Sequence, residues 1–273
     1  MQVVRVEGIS QTENCIQFLK HHSCCNLYLY EGIKRQASHH YNYIFKEKGS
    51  PVGVLHTKSG RSVHLFLSEG NPDAYLKRVL KFIIRRFSGL NSIFGDSVCL
   101  LELIKAGYLG YSGVREYLFL EIKKEHFNFI GPFVGRVPPV EEAGALYPLQ
   151  YQYEIEEMGA SESVLDKERI TAVLQRRILR DEITSIFEQD KPVAIAGLNA
   201  RFEDICQVGS VYVVPEYRGK GYGYSVVSSH IRRLFDKYNR IVLFVDVRNK
   251  RAIHIYNTIG FITAGELVQI SLW

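Results

Sequence analysis

Residues 218–223 read Arg-Gly-Lys-Gly-Tyr-Gly, three glycines alternating with a cation and an aromatic behind a leading arginine. The run lies between an apolar stretch and a helix-like one. Glycine lets the backbone approach a ligand closely and adopt positive φ. Successive N–H groups then point into one concavity, and the first turn of the following helix adds unsatisfied donors and the positive end of its dipole. Arg218 and Lys220 add full charges, so a diphosphate is the natural occupant. The run is neither the phosphate loop G-x-x-x-x-G-K-[ST] nor the dinucleotide fingerprint G-x-G-x-x-G. A ligand-free glycine turn is the plain alternative. Further on, Asn249 and Tyr256 stand seven apart, with Gly260-Phe261 just beyond them.

The elements that must hold these residues can be read around them. Residues 205–214 form a β-rich run stopped by Pro215, and a helix is expected over 223–238. Residues 241–247 have almost no polar break, so this strand is expected to be central and covered on both faces. Residues 252–258 read as a short helix closed by Gly260, and 267–272 as a last strand. Upstream, 141–158 and 166–179 read as helices, and 183–188 and 193–201 as strands. In the N-terminal part, 12–21 reads as a helix and 42–46, 51–57 and 61–67 as strands. Asn71-Pro72-Asp73 starts a helix reaching about residue 87, a helix follows over 98–106, and 116–122 is a strand. Residues 131–140, with two glycines and three prolines, mark the expected boundary between domains 1–130 and 131–273. Ile83 to Phe87 echoes Ile231 to Phe235, and Gly107-Tyr108 echoes Gly260-Phe261. An internal duplication with a period of about 150 residues is one reading of this, and the general likeness of any two α/β halves is the other.

Composition narrows the function. The net charge of +5 is spread along the sequence and gives no nucleic-acid footprint. No apolar stretch approaches the roughly 18 residues that cross a membrane. The five cysteines form no disulfide framework and no signal peptide opens the sequence, so the expected compartment is a reducing cytoplasm. His21, His22, Cys24, Cys25, His39 and His40 match no standard zinc spacing, and no metal is expected.

The run V-Y-V-V-P-E-Y-R-G-K-G-Y-G, the helix after it, the strand 241–247 and N-K-R-A-I-H-I-Y-N-T-I-G-F occur together and in order. In this the sequence resembles the GNAT superfamily, the GCN5-related N-acetyltransferases, closely over 207–262 and by element order back to about 140. It looks most like the two-lobed branch with an FR47-like C-terminal half. The resemblance implies an α/β fold with a mixed sheet, a GNAT fold in the C-terminal half and a degenerate GNAT-like N-terminal half that lacks R-x-x-G-x-G.

It also implies acetyl-CoA as co-substrate and a small amine or amino-acid-like metabolite as acceptor. Arg218, Gly219, Lys220, Gly221, Tyr222 and Gly223 would cradle the pyrophosphate. Backbone groups of Val211, Tyr212 and Val213 would pair with the pantetheine arm where two strands splay apart. Asn249 would contact the cofactor near its thiol, its plain reading being a turn after a strand. Tyr256 would protonate the leaving thiolate, its plain reading being a packed aromatic. A backbone N–H of Val213 or a neighbour would stabilise the oxyanion. Glu203, Asp204 and Asp246 are candidate bases without an assignment. Glu154, Glu156, Glu157 and Glu162 give an acidic approach suited to a cationic amine, or simply a solvated helix face. A non-catalytic acyl-CoA sensor and an interaction module, with a homodimer as a possible assembly, are the competing functions.

Overall fold

The computed structural model describes residues 1–20, 27–35, 40–68 and 73–273. The histidines and cysteines weighed and rejected as zinc ligands, other than His40, and the helix start at Asn71-Pro72 lie outside the described residues. The chain packs as two units. The first takes Met1–Phe119, Asp246–Arg248 and Ala264–Trp273, and the second takes Leu120–Val245 and Asn249–Thr263.

In the first unit the order is β1 (Gln2–Arg5), α1 (Ile9–Lys20), α2 (Leu27–Arg35), β2 (Tyr41–Glu47), β3 (Ser50–Thr57), β4 (Ser62–Leu67), α3 (Asp73–Arg86), β5 (Ser92–Asp96), α4 (Ser97–Lys105) and β6 (Gly113–Lys123). The second holds α5 (Ala143–Glu156), α6 (Lys167–Leu179), β7 (Ile183–Glu188), β8 (Lys191–Phe202), β9 (Ile205–Val213), α7 (Tyr222–Leu234), β10 (Arg240–Asp246) and α8 (Lys250–Ile259), after which β11 (Ile262–Ser271) ends the described elements. β11 returns to the first unit and pairs antiparallel with β5, Leu267 opposite Asp96 and Ser271 opposite Ser92. The strand order of the first unit is therefore β1-β2-β3-β4-β5-β11-β6, and that of the second is β6-β10-β9-β8-β7, β6 entering it through residues 120–123.

Hydrophobic patterning explains both cores. Leu76, Val79, Leu80 and Ile83 line one face of α3 at helical spacing and pack with Phe45, Leu55, Leu65 and Ile93 from the strands and with Val268 and Ile270 of β11. In the second unit Leu146 and Leu149 of α5 and Leu174 and Ile178 of α6 cover Ile183, Ile195 and Tyr212. The central strand expected over 241–247 is β10, fully buried at Ile241 and Val242 and placed between β6 and β9.

Three elements escaped the sequence reading: β1, α2 and β5. β5 is short, polar at both ends and carries Gly95 just before its last residue. That glycine is needed because a Cβ there would strike the Leu65 carbonyl on β4. The glycine- and proline-rich segment after β6 is packed against α7. Backbone N–H groups of Ile130, Phe133 and Gly135 donate to the hydroxyls of Ser228, Ser225 and Ser229, at 3.1, 3.2 and 2.9 Å. Gly131 and Gly135 let the strap lie this close to α7 and β7.

Candidate active site

β9 and β10 run parallel but stay together only briefly. Their ladder joins Ile205, Cys206 and Gln207 to Arg240, Ile241 and Val242, and residues 208–213 of β9 continue past it. On its other side β9 stays paired with β8 through two register shifts. Ser210 sits there at φ 50°, a bulge in the strand. The Arg177 guanidinium pins that bulge, donating to the Ser210 hydroxyl (3.2 Å), the Leu198 carbonyl (3.2 Å) and Asn199 Oδ1 (3.4 Å). Past the bulge Val214 N–H donates to Val193 on β8. Backbone groups of successive strand residues point to opposite edges, so those of Val211 and Val213 face the edge that β10 has left. This is the splayed gap the sequence resemblance called for.

The glycine run follows at the end of this strand. Gly219 and Gly221 adopt φ 76° and 90°, a region that glycine enters without the cost other residues bear. α7 starts at Tyr222 with Gly221 as a cap that has no side chain to offer, so the first-turn N–H groups lack an intrahelical partner. Around Gly219 the space is open. A Cβ on Gly221 would instead meet Pro132 of the strap at 3.0 Å, and one on Gly223 would meet Ile255 of α8 at 3.0 Å. The glycines thus serve the packing of strap, α7 and α8 as well as the concavity of the loop. Tyr222 stacks on Phe133 with ring centres 4.1 Å apart and donates its hydroxyl to Glu188 at 2.6 Å. Its side chain is a brace, and its backbone is what the loop can offer to a ligand. Lys220 is exposed, its ammonium 5.6 Å from the Tyr217 ring centre. The loop fits a diphosphate: open space, unpaired N–H donors and a cation coincide.

Arg218 is less free than its motif position suggested. Its Nε donates to the Val213 carbonyl (2.9 Å) and its Nη2 to Glu156 Oε2 (2.8 Å), with the guanidinium 5.2 Å from the Tyr212 ring centre. Tyr212 is buried and donates its hydroxyl to the other oxygen of Glu156 at 2.6 Å. Glu156 therefore ties α5 to β9 and to the loop. Burial pushes its carboxyl up, but the bonds from Tyr212 and Arg218 outweigh this and hold it below the usual carboxylate range. Burial, then the bond to Glu156, pushes the Tyr212 phenol up to about 12. Sequence reasoning counted Glu156 only in an acidic run, and no spacing signal marked it.

α8 supplies the phenol. Asn249 caps this helix, its Oδ1 accepting from Ala252 N–H at 3.1 Å, and Gly260 closes it at φ 117°. Asn249 thus has a structural bond at the start of the helix that carries Tyr256. Tyr256 is buried, with its ring edge-on to Phe261 at 5.7 Å. Burial first, then the charges of Tyr153 and Glu157 at the end of α5, push its phenol above its ordinary value. At neutral pH it keeps its proton, as a proton donor must.

Two of the carboxylates offered as bases lie away from the loop. Glu203 and Asp204 form the β8–β9 turn, at the opposite end of β9 from the loop, and Asp204 accepts from Asn239 at 3.2 Å. Asp246 accepts from Arg248 at 2.9 and 2.6 Å. These bonds, with Arg115 nearby, hold it below the usual carboxylate range despite partial burial, which makes it a weak base.

A strand that parts from its parallel neighbour, a glycine loop leading into a helix and a capped helix bearing a buried phenol define an α/β acyl-transferase fold of the GNAT type. Residues 149–261, less than half of the chain, match the acetyltransferase (GNAT) family. Over 61 residues it is 33% identical to a spermidine N(1)-acetyltransferase of Vibrio cholerae, a stretch covering 22% of this chain and 35% of that enzyme's length. The likeness to solved structures spans nearly the whole chain. A Drosophila protein matches with a TM-score of 0.69 at 15% identity, covering 99% of this chain and 98% of that one. A tandem GNAT protein from the clavulanic acid biosynthesis pathway matches at 0.65 and 12% identity, over 99% and 97%. Such distant matches establish the fold of both halves.

Proposed function

We propose that this protein is an acetyl-CoA-dependent N-acetyltransferase that moves an acetyl group to a primary amine by direct attack in a ternary complex. The acceptor is a small amine or amino-acid-like metabolite. The observation that carries this reading is the β9 edge left open beyond Gln207, flanked by the glycine loop and by α8 with Tyr256. Gly219, Lys220, Gly221 and the first-turn N–H groups of Tyr222 and Gly223 hold the diphosphate, and Arg218 braces the loop through Glu156. Val211 and Val213 offer backbone groups to the pantetheine arm. The neutral amine attacks the thioester carbon, a C–N bond forms and the C–S bond breaks. Its electrons go to sulfur, which takes the Tyr256 proton, and the attacking nitrogen gives its extra proton to solvent water, from which the Tyr256 phenolate is reprotonated. The Val213 N–H steadies the developing oxyanion.

The free, buried thiols of Cys15 and Cys206 support a reducing cytoplasm. Among the described residues no helix is long and apolar enough to cross a membrane. The test is calorimetry with acetyl-CoA together with release of coenzyme A thiol across an amine panel. Amine-dependent release supports the enzyme. Tight binding without turnover would leave an acyl-CoA sensor, and absence of binding up to millimolar concentration would reject both.

A further inference from the structure

From Lys77 to Arg86, α3 carries five cations and no carboxylate. Lys77 lies over the Tyr108 ring. The other four, Arg78, Lys81, Arg85 and Arg86, line an open groove of about 440 Å³ together with Phe82 and with Val3 of β1. Arg5 adds a further charge beside it, since the guanidinium groups of Arg5 and Arg86 lie 5.5 and 5.3 Å from the ring centre of Tyr41. A solvated helix face ordinarily sets acids three or four residues from its bases. Here Lys81 and Arg85 are exposed, and among the described residues they have no ion-pair or hydrogen-bond partner. The strand beside them is also unfinished. β1 is the edge of the sheet in this unit. Val6 N–H donates to the Asn42 carbonyl at 2.8 Å, and Val4 and Gln2 stand opposite Ile44 and Lys46. Hydrogen-bonded pairs alternate along an antiparallel ladder, so Gln2 and Val4 bond to β2 while the N–H and C=O groups of Val3 and Arg5 face outward. The side chains of Val3 and Arg5 share one face of the strand, the face on which Val3 meets α3.

We propose that this groove binds an acidic peptide segment in extended conformation, added as a strand alongside β1 with carboxylates at alternate positions. The outward backbone groups of Val3 and Arg5 pair with the main chain of the peptide. Its residues opposite Val3 and Arg5 then point toward α3, about 6–7 Å apart. Lys81 and Arg85 lie four residues apart on the helix, about 6 Å along its axis. Two alternate carboxylates therefore meet two cations, and Val3 and Phe82 give the apolar floor between them. A second copy of this chain pairing edge to edge through β1 would bring two sets of cations together, which like charges disfavour. A nucleic acid would answer the cations but leave the strand edge unpaired. Every residue in this argument belongs to the first unit, so the proposal stands or falls apart from acetyl transfer.

The experiment titrates the full chain against labelled probes and reads fluorescence anisotropy. The probes are a Thr/Val-rich peptide with two glutamates at alternate positions, its isomer with the glutamates adjacent, the same peptide with lysines in their place, and a single-stranded oligoribonucleotide. The alternating acidic peptide is expected to bind about tenfold tighter than its isomer, which turns one carboxylate to the wrong face, and the lysine peptide is expected not to bind. Lys81→Glu combined with Arg85→Glu should weaken the acidic peptide about tenfold or more and let the lysine peptide bind. Val3→Pro removes an N–H that β2 does not use, a change an edge strand tolerates, and should weaken binding about tenfold, with Val3→Ala costing much less. Several results overturn the proposal: no saturation up to about 1 mM peptide, equal binding of the two acidic isomers, or binding unmoved by the charge reversal. Equal losses in Val3→Pro and Val3→Ala reject strand addition. Tighter binding of the oligoribonucleotide, unaffected by Val3→Pro, makes the groove a nucleic-acid site and rejects the peptide.

Discussion

In the first unit β4 runs two residues past its last parallel pair with β5, from Leu65 to Leu67; in the second, β9 runs six past its last pair with β10, from Gln207 to Val213. Both units otherwise follow one order: two helices, three antiparallel strands, a helix, a parallel strand and a short helix. The short helices align closely. Asp96 caps α4 by accepting from Val98 and Cys99, as Asn249 caps α8, and Gly107 follows α4 with positive φ, as Gly260 follows α8. Each pair lies 153 positions apart in the sequence. At the same spacing Tyr256 corresponds to Leu103, a fully buried aliphatic side chain. At that spacing the glycine run corresponds to Leu65 to Gly70, which holds one glycine and no cation. Among the described residues caps and helix ends persist in both units, while the open strand edge, the glycine run and the buried phenol of α8 are features of the second. The proposed acetyl transfer thus rests on a few departures from a shared frame, and four measurements bear on that contrast.

The largest effect is expected at Tyr256. Tyr256→Phe, or Tyr256→Leu in imitation of α4, should lower kcat about 100-fold with acetyl-CoA binding nearly unchanged; turnover at the parental rate would remove the phenol from the chemistry. Next comes the loop. Gly221→Val combines positive φ with a collision against Pro132 and should weaken acetyl-CoA binding at least about tenfold in calorimetry, with a lower melting temperature. Gly219→Ala meets open space, so its cost is backbone strain of about 1–2 kcal/mol. Full binding by both variants would reduce the run to a structural turn.

Acid provides the third measurement, because each unit buries a neutral histidine. Burial, then His64, His40 and Lys58, hold His56 down to about 3; burial, then Arg233 and Arg177, hold His230 down to about 3. The unfolded imidazole takes its proton near pH 6.5. The stability each contributes is therefore complete above that pH and lost as the pH falls toward 3. Near pH 5 the loss is roughly 2 kcal/mol per histidine. Urea midpoints at pH 7 and 5 should show it, and His56→Gln and His230→Gln should each abolish one share. A pH dependence untouched by either variant would contradict the burial argument. The smallest effect separates the two caps. Asp96→Ala and Asn249→Ala should each cost about 1 kcal/mol of stability, but only Asn249→Ala should also slow acetyl transfer. Equal slowing by both would show that the first unit takes part in the chemistry.

Much of this was legible in the sequence because its signals are local. Proline and glycine fixed the end of β9, the start of α7 and the end of α8, and the apolar run of β10 announced a central strand. The glycine run stood out by its composition, whereas the roles expected of Asn249 and Tyr256 came from the family resemblance. What stayed hidden depends on the third dimension. The bonds from Tyr212 and Arg218 to Glu156 join residues about sixty positions apart, so the brace could not be told from the rest of the acidic run. The strap over 130–135 read as a linker because glycine and proline mark close packing and free turns alike.

The pairing of β11 with β5 also governs how the polypeptide emerges from the ribosome. Residues 92–96 are synthesised some 170 positions before the strand that lies beside them, so the earlier unit waits with an unpaired edge until nearly all of the later one has been made. Contacts of such long sequence separation form slowly, and an exposed edge invites association with other chains. Synthesis stalled before residue 262 would leave that edge bare, making the nascent chain a natural client for chaperones.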